Sequence, residues 1–300
     1  LAVRPLMVIV MQWQMVVAAR EAYKNIEGFL EKHPKKSETM PLSAPIGRLA
    51  VEKFSYSPEM NAPNILQNIN FQVEPGQLLT VLGHSGAGKT TLARAIVGFL
   101  EPTQGSVRLD GVSIFPWNKS ELGKYLGYLP QDIELFDGTF ADNVTRFGEI
   151  NEDQLSVAIK ISDLTNFVDT LPDGVDTHLN ADRMRIPGGI KQKIGLARAL
   201  YGNPKLIVLD EPTSNMDSQS EQVFLKSIQE IKSLKSTIVI ITHNREILRV
   251  SDLVLTIENG EQKTFNTMKN IIKQIKAQEE KNILEKQKKS FLPAKKENDS

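Results

Sequence analysis

Three short apolar runs, residues 78–82, 206–209 and 238–241, stand out along the chain. Each is nearly continuous and rich in leucine or β-branched residues. Strands of that kind are covered on both faces, which predicts a parallel sheet held between helices. Helical periodicity fills the stretches between, near 89–100, 190–201 and 218–234. The sum is an α/β fold with a mostly parallel core. Upstream, Leu49, Val51, Phe54 and Tyr56 predict an edge strand, and residues 65–73 predict another. Asp110-Gly111, following Val107 and Leu109, reads as a hairpin-type turn.

The two ends have a different character. Residues 1–32 read as one long helix, with Trp13, Val16, Val17, Tyr23, Ile26, Phe29 and Leu30 at roughly helical spacing. Pro34 stops it. The polar stretch 35–47, with Pro41 and Pro45, reads as a linker. After Gly260 a helix of mixed character is expected to run to about Lys289, followed by a polar, disordered tail. The expected division is therefore 1–47 as helix and linker, 48–266 as the main domain, and 267–300 as C-terminal helix and tail.

Composition narrows the function. The chain has 300 residues, with Lys+Arg 36 against Asp+Glu 36. That balance leaves no basic footprint for nucleic acid, so no nucleic-acid partner is expected. The absence of cysteine excludes disulfides, zinc–thiolate sites and cysteine nucleophiles. The chain starts at Leu1 and reads as a piece of something longer. Residues 6–19 are apolar apart from Gln12 and Gln14, bracketed by Arg4 and Arg20. That run is shorter than the ~20 residues a membrane span needs. Two readings stand: an amphipathic helix packed on its own domain, or the cytoplasmic end of a membrane helix whose upper turns precede residue 1. The late lysines, Lys286, Lys288, Lys289, Lys295 and Lys296, read as a solvated tail.

Two motifs carry chemistry. Gly83-His84-Ser85-Gly86-Ala87-Gly88-Lys89-Thr90 fits G-x-x-x-x-G-K-[ST]. It follows a predicted strand and opens a predicted helix, the context the motif requires. Its glycines let backbone N–H groups wrap phosphate oxygens, and the helix start favours the negative charge. Lys89 would reach the β- and γ-phosphates of a nucleotide and the Thr90 hydroxyl would ligate Mg²⁺. Thr91 belongs to the same binding set. The second motif is the strand 206–209 ending in Asp210-Glu211. Asp210 sits at a carboxyl end, where a parallel sheet delivers ligands. It suits Mg²⁺, and Glu211 is placed to polarise an attacking water.

With these motifs in place, residues 48 to about 265 resemble the nucleotide-binding domain of ABC transporters. The resemblance implies a P-loop fold with an antiparallel β subdomain and a helical subdomain. It implies roles for further residues: Gln131 in Tyr128-Leu129-Pro130-Gln131-Asp132 as the Q-loop residue touching Mg²⁺ and water, and His243 as the switch histidine. Asp217 falls in the D-loop, and Tyr56 is the aromatic that stacks on adenine. The implied catalytic set is Lys89, Gln131, Glu211 and His243. The stretch 121–148 looks most like exporters, in particular the ATPases of type I protein secretion. That likeness implies export of protein or peptide across the bacterial inner membrane, with the ATPase on the cytoplasmic side. It also implies a homodimer closed over ATP, a membrane domain, a periplasmic adaptor and an outer-membrane channel.

One departure matters. Where the family reads Leu-Ser-Gly-Gly-Gln, this chain reads Ile186-Pro187-Gly188-Gly189-Ile190. In the family this signature caps the γ-phosphate held by the other subunit. Pro187 offers neither a hydroxyl nor an N–H, while Gly188 and Gly189 still present N–H groups. Either binding persists with slowed hydrolysis, or the glycines suffice. A soluble ABC protein unlinked to transport and a non-hydrolysing ATP-binding remnant are the rivals.

Overall fold

The structure is a computed structural model describing residues 3–32, 43–59, 62–179, 186–214, 216, 218–271 and 273. The chain divides into two compact units, Leu1–Ser43 and Ala44–Ser300. Among the described residues the first holds one helix, α1 (Val3–Lys32), of 30 residues, on which Trp13, Tyr23 and Ile26 are exposed. Among the described residues no helix is long and apolar enough to cross a membrane.

The second unit is built on one ten-stranded sheet. Its parallel centre holds β3 (Leu78–Leu82), β6 (Leu126–Leu129), β9 (Leu206–Asp210), β10 (Thr237–Ile241) and β11 (Leu253–Glu258), in the order β11-β3-β10-β9-β6. The apolar runs are continuous because each strand feeds two cores. Leu79, Val81, Val208, Val239 and Ile241 pack into one; Leu78, Ile207, Leu209, Ile238 and Ile240 pack into the other. A period of two sends neighbouring side chains to opposite faces, so burial on both faces favours apolar residues almost throughout; the buried polar exception within β3, Thr80, is hydrogen-bonded to Ser251.

The antiparallel part holds β1 (Leu49–Tyr56), β2 (Leu66–Val73), β4 (Gln104–Leu109), β5 (Val112–Ser113) and β12 (Glu261–Thr267). Here the structure corrects the sequence reading twice. Neither β1 nor β2 is an edge strand: β1 lies between β4 and β2, and β2 lies between β1 and β12. The segment after Gly260 begins as strand β12, not as a helix. Asn259 and Gly260 both adopt positive φ, 50° and 78°, the two-residue turn that suits a hairpin. The rest of the expected C-terminal helix and tail lies mostly outside the described residues. Asp110-Gly111 does form the expected hairpin turn, with φ of 51° and 84°. Its Asp110 carboxylate also accepts the N–H groups of Ile46, Gly47 and Arg48 at 2.8–3.0 Å.

Helices cover the sheet. α2 (Lys89–Ile96) follows β3 and ends earlier than the periodicity predicts, because Gly98 turns left-handed with φ 80°. α3 (Lys119–Leu122) is a single turn. A helical layer of α4 (Phe140–Thr145), α5 (Glu152–Ile161) and α6 (Thr165–Asp169) packs with α7 (Gly188–Leu200) and α8 (Ser218–Ser233) into the second core. A short strand pair, β7 (Gly138–Thr139) with β8 (His178–Leu179), ties that layer together.

α7 sits tight on β6. A Cβ at Gly127 would overlap the backbone carbonyl of Ala199, and one at Gly195 would press into Leu129 and Ile133. Backbone cannot yield as a side-chain tip can. Gly127→Ala is therefore expected to destabilise the fold by about 1–3 kcal/mol, read as a lowered urea midpoint with an unchanged slope.

Candidate functional site

The parallel strands deliver their carboxyl ends to one edge, and the predicted motifs meet there. β3 ends at Leu82, the chain turns through Gly83–Gly88, and α2 starts at Lys89. Gly86 and Gly88 have φ of 79° and 95°. At Gly88 a Cβ would also press on Leu66 and the Ile65 carbonyl, so only glycine fits. The half-buried Lys89 folds back over the loop. Its Nζ donates to the Gly83 carbonyl at 2.8 Å and the His84 carbonyl at 2.9 Å. A positive charge is thus centred inside a ring of backbone, at the start of a helix.

Opposite stands the end of β9. Asp210 pairs in register with Ile241 of β10. It is 0% exposed, and neither carboxylate oxygen has a hydrogen-bond partner among the described residues. Burial pushes its carboxyl above the usual range. Thr90, close by, opposes that rise. The neighbouring Glu211 charge adds to it, and Lys89 and Arg94 oppose it.

Glu211 follows in a left-handed conformation, φ 49°, rare for a residue with a Cβ. Its N–H donates to the Ile241 carbonyl at 2.9 Å. His243, just past β10, places Nδ1 2.9 Å from Glu211 Oε2, a charge-pair distance without hydrogen-bond alignment. The glutamate is largely enclosed, with its side chain 13% exposed, whereas the histidine is 78% exposed. The pair therefore joins a fixed acid to a ring open to solvent.

These groups share one cleft of 690 Å³. Of the residues expected from sequence, Gly83, His84, Ser85, Gly86, Gly88, Lys89, Thr90, Thr91, Gln131, Asp210, Glu211 and His243 line it. Ala87 is buried in the core beneath the loop. Tyr56 does not line the cleft. It is half-buried at the end of β1, where its carbonyl accepts the Ile65 N–H at 2.8 Å. Pro187, Gly188 and Gly189 open α7 and do not line the cleft, with Pro187 and Gly188 exposed. Asp217 lies outside the described residues. Two lining residues escaped the sequence reading, Ile65 and Ser214. Ile65 had a signal, since it precedes β2 beside the aromatic at position 56; Ser214 had one too, since it opens the stretch 214–217 that resembles the D-loop.

The donor set suits a hard cation. Asp210 offers two unpartnered oxygens, with Thr90 and Gln131 offering further oxygens in the same cleft. Among the described residues no three His, Asp or Glu side chains converge to hold a metal alone. Mg²⁺ ordinarily takes one or two carboxylates and completes its shell with phosphate oxygens and water. The arrangement fits Mg²⁺ arriving with a phosphate-bearing ligand.

The buried charge of Asp210 also predicts a stability effect. A carboxyl whose pKa is raised on folding binds protons more readily folded than unfolded. The ligand-free fold therefore loses stability as pH rises from the ordinary value of 3.8 through the raised one. Asp210→Asn removes that loss. The expected result is a higher melting temperature at neutral pH without nucleotide, and a flatter dependence of melting on pH. The reverse ordering would mean that the carboxylate is compensated.

Comparison with known proteins agrees with this geometry. Residues 66–214 match the family described as ABC transporter. The chain is 36% identical over 275 residues to the type I secretion system ATP-binding protein PrsD of Rhizobium meliloti (strain 1021), spanning 91% of this chain and 47% of that one. It is 34% identical over 208 residues to the ATP-dependent lipid A-core flippase of Burkholderia pseudomallei (strain 1710b), spanning 69% of this chain and 35% of that one. A solved bacterial Atm1-family ABC exporter with ATP bound superposes with a TM-score of 0.75 over 90% of this chain and 48% of that one, at 24% identity, a likeness of fold. The chain spans about half, or less, of the length of the curated relatives it matches.

Proposed function

The chain belongs to the ABC transporter family, and on that premise we propose that it binds and hydrolyses ATP to drive export through a membrane domain. The observation that carries this reading is the facing pair in one cleft: the loop closed by Lys89 and the enclosed, unpartnered carboxylate of Asp210. The backbone N–H groups of residues 83–90 cradle the phosphates, and Lys89 exchanges its two carbonyls for phosphate oxygens. Mg²⁺, when bound, supplies neutralisation of charge on the β- and γ-phosphates. Asp210 and Thr90 would hold it, with Gln131 beside them. Glu211 accepts the proton of the water that attacks the γ-phosphorus as the bond to the ADP oxygen breaks. His243 steadies that carboxylate and faces the γ-phosphate.

The further assignments rest on the relatives and are proposed with the same reading. The 36% identity to PrsD supports type I secretion of a protein or peptide as the exported class. Two copies would close over ATP, each offering the start of α7 to the nucleotide of the other, with Asp217 at that interface and Tyr56, outside the phosphate cleft, beside the adenine. Residues 1–47 would lead from a membrane domain in the bacterial inner membrane, and residues 48–266 form the cytoplasmic ATPase. A periplasmic adaptor and an outer-membrane channel would complete the export path.

Purified protein should release phosphate from ATP in a magnesium-dependent manner; nucleotide affinity with no turnover would favour the non-hydrolysing remnant. Pro187 modulates the rate. It caps α7 with no side-chain hydrogen bond, and its ring removes a donor at the helix opening. One missing donor at a developing charge costs roughly 10²–10³ in rate. Pro187→Ser is therefore expected to raise turnover by up to about 10²-fold. Equal rates would mean that the Gly188 and Gly189 amides suffice.

A further inference from the structure

We infer that Gln192 is a positioning residue, whose amide, one turn into α7, fixes the backbone at Glu211 and so aims the Glu211 carboxylate. The inference rests on the ATPase reading above and names a residue that reading does not use.

Gln192 is only 1% exposed, an unusual place for a primary amide on a helix. A buried amide is retained where it has a partner. Here the Nε2 donates across to the Glu211 carbonyl at 3.3 Å. That carbonyl also accepts the Ser214 N–H at 3.2 Å, while the Glu211 N–H is held by the Ile241 carbonyl at 2.9 Å. The two peptide groups flanking the Glu211 Cα are thus gripped by different elements, β10 on one side and α7 on the other. The grip has something to hold. At φ 49° Glu211 is in a conformation its Cβ disfavours, and such a conformation persists only where surrounding contacts over-determine it. Rotation toward ordinary φ would swing the Cα–Cβ bond and carry the carboxylate out of the enclosed position beside His243. Gln192 stands on the helix that opens at Pro187, so movement of that opening reaches Glu211 through one side chain.

α7 is a rigid platform for this role. Gly195, three residues on, lets the helix lie against Leu129 and Ile133 with no room for a Cβ. The amide is therefore presented from a fixed distance.

The test is a double-mutant cycle on steady-state ATP turnover, with nucleotide affinity measured alongside. Gln192→Met keeps the volume and removes the donor; Gln192→Glu keeps the shape and, while ionised, offers only acceptors. Both are expected to lower kcat by about tenfold or more while changing ATP affinity less than about twofold. In a Glu211→Gln background the same changes should lower the residual rate by less than about twofold, because the group being aimed is already gone. A purely structural amide would reduce turnover equally in both backgrounds, or reduce affinity in step, and either outcome overturns the inference. Parental protein without Glu211-dependent turnover would refute the ATPase reading itself. Full activity in both Gln192 variants of an active parent would refute only the inference.

Discussion

Lys89→Ala is expected to reduce Mg-ATP affinity by at least about 10²-fold and kcat/KM by about 10³-fold or more, with the fold intact. The lysine's two hydrogen bonds go to loop carbonyls that are themselves near the surface. Removing them loosens the loop but leaves the core untouched. The functional loss is larger because a triphosphate brings several negative charges into the ring that this ammonium centres. Charge-assisted hydrogen bonds are worth about 1.5–3 kcal/mol each, so losing two accounts for the affinity change. Equilibrium titration with labelled ATP, paired with a melting curve, separates the two effects. Undiminished affinity in a folded variant would show that the phosphates bind elsewhere.

Glu211→Gln should reduce kcat by about 10²–10⁴-fold while preserving or improving ATP affinity. The amide has the same shape and makes the same backbone contacts, but it accepts no proton from water. Its loss of charge also relieves Asp210, whose raised pKa owes part of its rise to Glu211. The metal-holding carboxylate should then ionise more readily and grip the nucleotide's cation at least as well. Single-turnover experiments should find uncleaved ATP retained. A variant that hydrolyses at the parental rate would place the proton acceptor elsewhere.

Much of this site was legible in the sequence because its physics is local. The phosphate loop needs glycine where φ is positive and a lysine at a fixed offset, and both show in the residues 83–90. The strands β3, β9 and β10 announced themselves because burial on two faces makes their runs apolar apart from Thr80, Thr237 and the terminal Asp210. Strands with one face toward solvent did not. β12 has no fully buried position although it lies between β2 and β11, and its mixed polarity imitated a helix, even though Asn259-Gly260 offered the turn signal. β1 looked like an edge because nothing local records that β4 returns to pair with it. The contact between Gln192 and Glu211 was beyond reach for the same reason: both are polar, and only the packing of α7 on β6 brings them together. The left-handed turn at Glu211 was equally hidden, since no glycine marks it.

The most direct test measures ATP binding to the purified chain with and without magnesium, in the parent and in Asp210→Asn. The account predicts saturable binding that magnesium strengthens in the parent and no longer strengthens once Asp210 is replaced. Binding indifferent to magnesium in the parent, or equally strengthened by it in Asp210→Asn, would contradict the facing of phosphate cradle and buried carboxylate on which everything else depends.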